Sequence, residues 1–107
     1  MLYAKSDWLD EHPKEAKKLA TALVRALEWA QSHTGREIAA KMPKQFAAGD
    51  VEEYAAVIEK SKQVFSQDGR MPEDGAKAVL KTQRVANPEV GDTDIDLKKT
   101  YSNEFLD

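Results

Sequence analysis

Seven apolar residues, Ala16, Leu19, Ala20, Leu23, Val24, Leu27 and Ala30, recur at the spacing of one helical stripe. A segment patterned this way has one face that must be covered, so it constrains what the rest of the chain can build. Pro13 suits the first helical position, where its missing N–H would have no intrahelical partner. Glu11 and Glu15 stand where the positive end of the helix dipole favours carboxylates. The pattern predicts a helix over 13–33, with Trp29 beside the stripe. Residues 2–9, with Tyr3 and Trp8, are short and mixed, and are expected either to finish a strand or to dock on a helix.

The downstream sequence repeats the helical logic. Thr34-Gly35-Arg36-Glu37 has capping-box spacing, and a short helix through Ile38, Ala39 and Met42 should end or kink at Pro43. Residues 43–48 are expected to add a helical turn that ends at Gly49. Asp50 opens a helix over 51–66 with Tyr54, Val57, Ile58, Ser61 and Phe65 on one face and Val64 adjoining. Ser66-Gln67-Asp68-Gly69-Arg70 is a turn in which Gly69 is free to take positive φ. Pro72 introduces a helix that should bury Ala76, Val79, Leu80 and Gln83 and end before Asn87-Pro88. Residues 87–95 form a loop, and Asp96 should cap a closing helix with Leu97, Tyr101 and Phe105 along one side. The expected fold is all-α, about five amphipathic helices in a single helical piece spanning 1–107, with no internal repeat.

Composition narrows the function classes. A 107-residue chain is one domain or less. Hydrophobic residues make up 41% and charged residues 33%, a mixture suited to helices with one wet face each. A net charge of −3 with dispersed Lys and Arg argues against nucleic acid as a partner, since such a surface should be basic. The chain has no Cys, which excludes disulfides, thiolate metal sites and a Cys nucleophile. No run approaches the length of a membrane span, and no signal peptide precedes the first helix.

His12 and His33 flank one helix whose length, about 30 Å, prevents them from sharing a metal within one chain, so both read as helix-end histidines. Asp92, Asp94 and Asp96 have the spacing that opens a calcium loop, but Leu97 stands where the sharp turn needs Gly and Asn103 where a bidentate Glu is needed. Their expected work is capping and turns, and no metal is assigned. Arg70 in its turn could meet an anion, although a lone turn Arg is ordinarily solvated. Trp8, Trp29, Tyr3, Tyr54 and Tyr101 read as core aromatics ahead of a ligand cage. The glycines are scattered, no nucleophile elbow occurs, and the carboxylate pairs on the helices look like wet faces. No catalytic residue and no cofactor is expected.

Four stretches together resemble a known family. They are Trp8-Leu9-Asp10-Glu11-His12-Pro13-Lys14-Glu15-Ala16 with Ala26-Leu27-Glu28-Trp29-Ala30, the region from Ile38 to Pro43, Phe65-Ser66-Gln67-Asp68-Gly69-Arg70-Met71, and Ile95-Asp96-Leu97 with Thr100-Tyr101-Ser102-Asn103-Glu104-Phe105. In order and spacing the chain is similar to the C-terminal third of periplasmic ABC-transporter substrate-binding proteins of the nitrate/sulfonate/taurine type. The resemblance implies a two-lobed α/β parent of the type II binding-protein fold. This piece would supply helices after the last strands of the second lobe, and a signal peptide would lie upstream. It implies capture of a small, anionic, sulfonate- or nitrate-like solute for a membrane permease, without chemistry. Most ligand contacts in that family come from the part that is absent here, so the ligand-binding residues are left unassigned. The isolated piece is expected to hide its uncovered stripes by pairing with another copy or by rearranging its helices. The competing reading is a stand-alone helical module for protein–protein interaction.

Overall fold

The computed structural model describes residues 1–106. Among them there is no strand, and 67% are helical, in four short 3-10 helices and five α-helices: α1 Ser6–Glu11, α2 Pro13–Ser32, α3 Gly35–Lys41, α4 Val51–Ser61 and α5 Glu73–Ala86. The all-α expectation holds. The chain divides into two compact units, Met1–Gly69 and Arg70–Asp107.

In the first unit, residues 6–11 form α1 rather than a strand, and His12 ends α1 while preceding Pro13 at the start of α2. The capping box at Thr34 forms in both directions, with Glu37 N–H donating to the Thr34 hydroxyl and Thr34 N–H donating to the Glu37 carboxylate. Pro43 closes α3 as expected. The turn after it is a 3-10 helix over Lys44–Ala47 that ends on Ala48, itself left-handed at φ 47, and then Gly49 at φ 91. Asp50 caps α4 by accepting from Glu53 N–H at 2.9 Å. The end of α4 tightens into a 3-10 turn over Lys62–Val64.

The expected face of α4 is corrected by how closely α3 approaches. Ala55 is the buried residue, Tyr54, Ile58 and Ser61 are half-buried, and Val57 is 54% exposed. α3 meets α4 through Gly35, and a Cβ built there would lie 2.3 Å from the Ala55 carbonyl oxygen and 2.8 Å from Glu59 N. At that separation only small residues can sit between the helices, so the contact selects Gly35 and Ala55 over the bulky positions on either side.

The second unit departs further from the periodic reading. α5 buries Ala76 and half-buries Leu80, while Val79 is 54% exposed and Gln83 is also exposed. The closing helix expected beyond Asp96 does not form. Asp96 does cap, accepting from Lys98 N–H at 3.2 Å, but the helix it starts is a 3-10 turn over Leu97–Lys99, and a second 3-10 turn spans Glu104–Leu106. Short polar side chains compete for the backbone here. Thr100 Oγ1 donates to the Leu97 carbonyl at 2.7 Å, and Ser102 Oγ accepts from Glu104 N–H at 3.2 Å.

Among the described residues the buried apolar ones are Ala16, Ala39, Ala47, Ala55 and Ala76, and no large side chain is fully buried. On α2, Ala16 is buried and Ala20, Val24, Leu27 and Ala30 are half-buried, whereas Leu19 and Leu23 are 51% and 46% exposed. The predicted stripe is therefore only partly covered. The accessible surface is 8753 Å². Two separately folded units of these lengths would expose about 7,000 Å² together, so the helices form without a matching core.

Candidate functional site

The densest polar cluster in the first unit surrounds the break between α2 and α3. The break itself is set by sequence: His33 and Thr34 are extended, at ψ 155 and ψ 160, and the Thr34 capping box restarts the helix. Glu59 on α4 and Lys62, which begins the following 3-10 turn, then close over it. The Glu59 carboxylate accepts from Gly35 N–H, and Lys62 Nζ donates to the His33 carbonyl at 2.6 Å. Lys62 also lies 3.4 Å from Glu59 Oε1.

The electrostatic arrangement follows from the helix ends. The last carbonyls of α2 carry partial negative charge and receive the Lys62 ammonium; the first amides of α3 carry partial positive charge and receive the carboxylates of Glu37 and Glu59. Hydrogen bonds from Thr34 hold the Glu37 carboxyl below the usual range, with smaller help from His33 and Lys62. The Gly35 amide does the same for Glu59, with Lys62 contributing. Both groups stay ionised as acceptors, which suits a structural junction and not a general acid.

These shifts make stability pH-dependent in a definite direction. Both native carboxyls lie below the reference value of 4.5, so the unfolded chain binds more protons as the pH falls through that region. Their contribution is present above the unfolded-state value and disappears as pH drops through the native one. The urea midpoint should fall between about pH 6 and pH 3, and Glu59→Gln should make that fall shallower. An equal slope in the variant would remove Glu59 from the account.

Both histidines stand at helix ends and share one local motif that the sequence reading passed over. Trp8 and His12 stack with centroids 5.0 Å apart, and Trp29 and His33 with centroids 4.0 Å apart. In each pair the imidazole Nδ1 lies against the tryptophan carbonyl, at 3.1 Å for His12 and 2.7 Å for His33. A carbonyl only accepts, so Nδ1–H donates in that contact. The Nε2 of His33 is 4.0 Å from Glu37 Oε2. The visible signal was Trp-x-x-x-His, occurring twice at the i, i+4 spacing that brings side chains together on a helix.

The remaining candidates fall into separate places. Tyr3 is 88% exposed, Tyr54 and Tyr101 are half-buried, and each tryptophan stacks on its own histidine, so no aromatic cage is built from these pairs. Asp92 and Asp94 are exposed, Asp96 is occupied as a cap, and among the described residues no group of three or more His, Asp or Glu is placed to hold a metal. The turn at 66–69 forms with Gly69 at φ 76 and its N–H donating to Ser66 Oγ at 2.9 Å. Arg70 is exposed and already engaged in an interaction.

In the second unit one side chain joins the segment ahead of α5 to the C-terminal segment. Met71 N–H donates to Asn103 Oδ1 at 2.9 Å, and Asn103 Nδ2 donates to the Met71 carbonyl at 2.9 Å. The side-chain amide thus pairs with one backbone residue much as a neighbouring strand would. Arg84, half-buried on α5, donates to the Gly91 carbonyl at 2.7 Å and fixes the loop after the helix.

No family model, no curated protein and no solved structure matches the chain. Among the described residues no helix is long and apolar enough to cross a membrane.

Proposed function

We propose that this chain is the helical C-terminal part of a periplasmic ABC-transporter solute-binding protein, serving as framework for a lobe that captures a small solute for import. The resemblance supplies the family. The structural observation that best supports the reading is the uncovered stripe of α2, where Leu19 and Leu23 lie about half exposed while, among the described residues, the buried side chains are those of small alanines. Apolar side chains on a helix of this length are stabilising when they pack on a larger body, and a sheet of the parent lobe would provide one. In that setting the mechanism is hinge closure of two lobes around the ligand, with no covalent step. The solute class implied by the resemblance is anionic, sulfonate- or nitrate-like, and delivery is to a membrane permease.

The test is to sequence the coding region upstream of residue 1, express the whole frame and titrate it with nitrate and small alkyl sulfonates by calorimetry. A frame encoding βα repeats behind a signal peptide, with saturable binding of one such anion, is the expected result. A coding region that begins at Met1 would contradict the reading and leave a helical interaction module in its place. A two-lobed product that binds none of these anions would retain the family and overturn the solute class.

A further inference from the structure

The second unit ends in a segment that is neither helix nor strand yet is held in a defined place. Residues 95–106 contain two short 3-10 turns, over Leu97–Lys99 and Glu104–Leu106. Its apolar residues Ile95, Leu97, Tyr101, Phe105 and Leu106 are only half-buried. Against this loose packing, the amide of Asn103 makes two hydrogen bonds of 2.9 Å to a single residue, Met71, just ahead of α5. Asn103 is itself half-buried, and its backbone carbonyl accepts from Leu106 N–H at 3.2 Å, which ties the last turn to the same residue.

We propose that Asn103 is the latch of a detachable C-terminal strap, and that residues 95–106 lift from the start of α5 as one unit while α5 stays folded. The physical ground is the imbalance between the two parts. α5 is a helix of 14 residues with its own backbone hydrogen bonds and Ala76 buried beneath it. The strap has short turns, half-covered side chains and, in Asn103, one side chain that makes both bonds to Met71. Local opening follows regions with few buried apolar contacts, so the strap should open first. The clasp also needs an amide in particular. Aspartate keeps the acceptor for Met71 N–H but cannot donate to the Met71 carbonyl when ionised, and leucine keeps bulk and loses both bonds. An opened strap leaves the N–H and C=O of Met71 unpaired, a backbone position that another amide could occupy.

Amide hydrogen exchange on the whole chain tests this. The Met71 N–H reports the latch, because its acceptor is Asn103 Oδ1, and the amides of Thr100 and Leu106 report the strap. In the unaltered protein these amides should exchange together, at rates little changed by low denaturant and faster than those of Leu80 to Ala86. In Asn103→Leu they should speed up by about tenfold to a hundredfold, and in Asn103→Asp by less, with the α5 amides unchanged. Two outcomes would overturn the proposal: equal acceleration of the α5 amides, which makes strap and helix one cooperative unit, or unaltered exchange at Met71 in both variants. The measurement on the unaltered protein decides the point even if a variant fails to fold, since strap and α5 amides exchanging at one common rate would already rule out separate opening.

Discussion

Gly35→Ala should destabilise the first unit by about 3 kcal/mol, although the same exchange at an open helical position is favourable. Helix propensity alone would gain up to about 1 kcal/mol. The new methyl, however, would stand 2.3 Å from the Ala55 carbonyl oxygen, 2.8 Å from Glu59 N and 2.9 Å from Glu59 Cβ. Two of these three neighbours are backbone atoms of α4, which cannot rotate aside. Relief requires separating α3 from α4, and that stretches the bond from Gly35 N–H to the Glu59 carboxylate and the bond from Lys62 to the His33 carbonyl. Overpacking of this kind costs about 1–3 kcal/mol, and loss of charge-assisted bonds adds to it. Urea unfolding followed by far-UV circular dichroism gives the answer, and a stabilised variant would show that α3 and α4 are not in this contact.

The second large effect concerns the face that the chain leaves open. Replacing Leu19 and Leu23 together by glutamate should destabilise the isolated chain by about 1.5–3 kcal/mol, because only about half of each side chain is covered and leucine and glutamate have similar helix propensities. In the proposed two-lobed parent the same pair should cost at least about 4 kcal/mol, since two fuller apolar contacts would be lost and two carboxylates forced against an apolar surface. For a protein of that size this is a drop of about 10 °C in melting temperature. Equal losses in both settings would mean that α2 is not covered by the parent body.

Which parts of this structure could be read from the sequence depends on where local chemistry suffices. The capping box at Thr34, the stop at Pro43, the cap at Asp50 and the positive φ of Gly69 are decided within a few residues, and the structure carries each of them. The closing helix was misread because periodicity at Leu97, Tyr101 and Phe105 says nothing of the competing bonds made by Thr100 and Ser102, nor of the long-range clasp that draws in Asn103. The face of α4 was misread for a related reason. Large apolar residues suggest a core, yet the closest approach in the first unit selects small ones, and the pair Gly35 and Ala39, four residues apart on α3, was the available sign. The junction formed by Glu59 and Lys62 brings together residues 24 and 29 positions from their partners, beyond the reach of any local rule. The stripe of α2 was legible as a surface needing cover, but a stripe does not state what covers it.

The measurement that bears most directly on the account is covalent footprinting of Leu19 and Leu23, carried out on the isolated chain and on the product of the whole reading frame. Both residues are about half exposed here, so they should be labelled readily in the isolated chain. Protection of about tenfold or more is expected at both positions in the longer product if the proposed parent lobe covers α2. Equal labelling of Leu19 and Leu23 in the two forms would contradict that proposal.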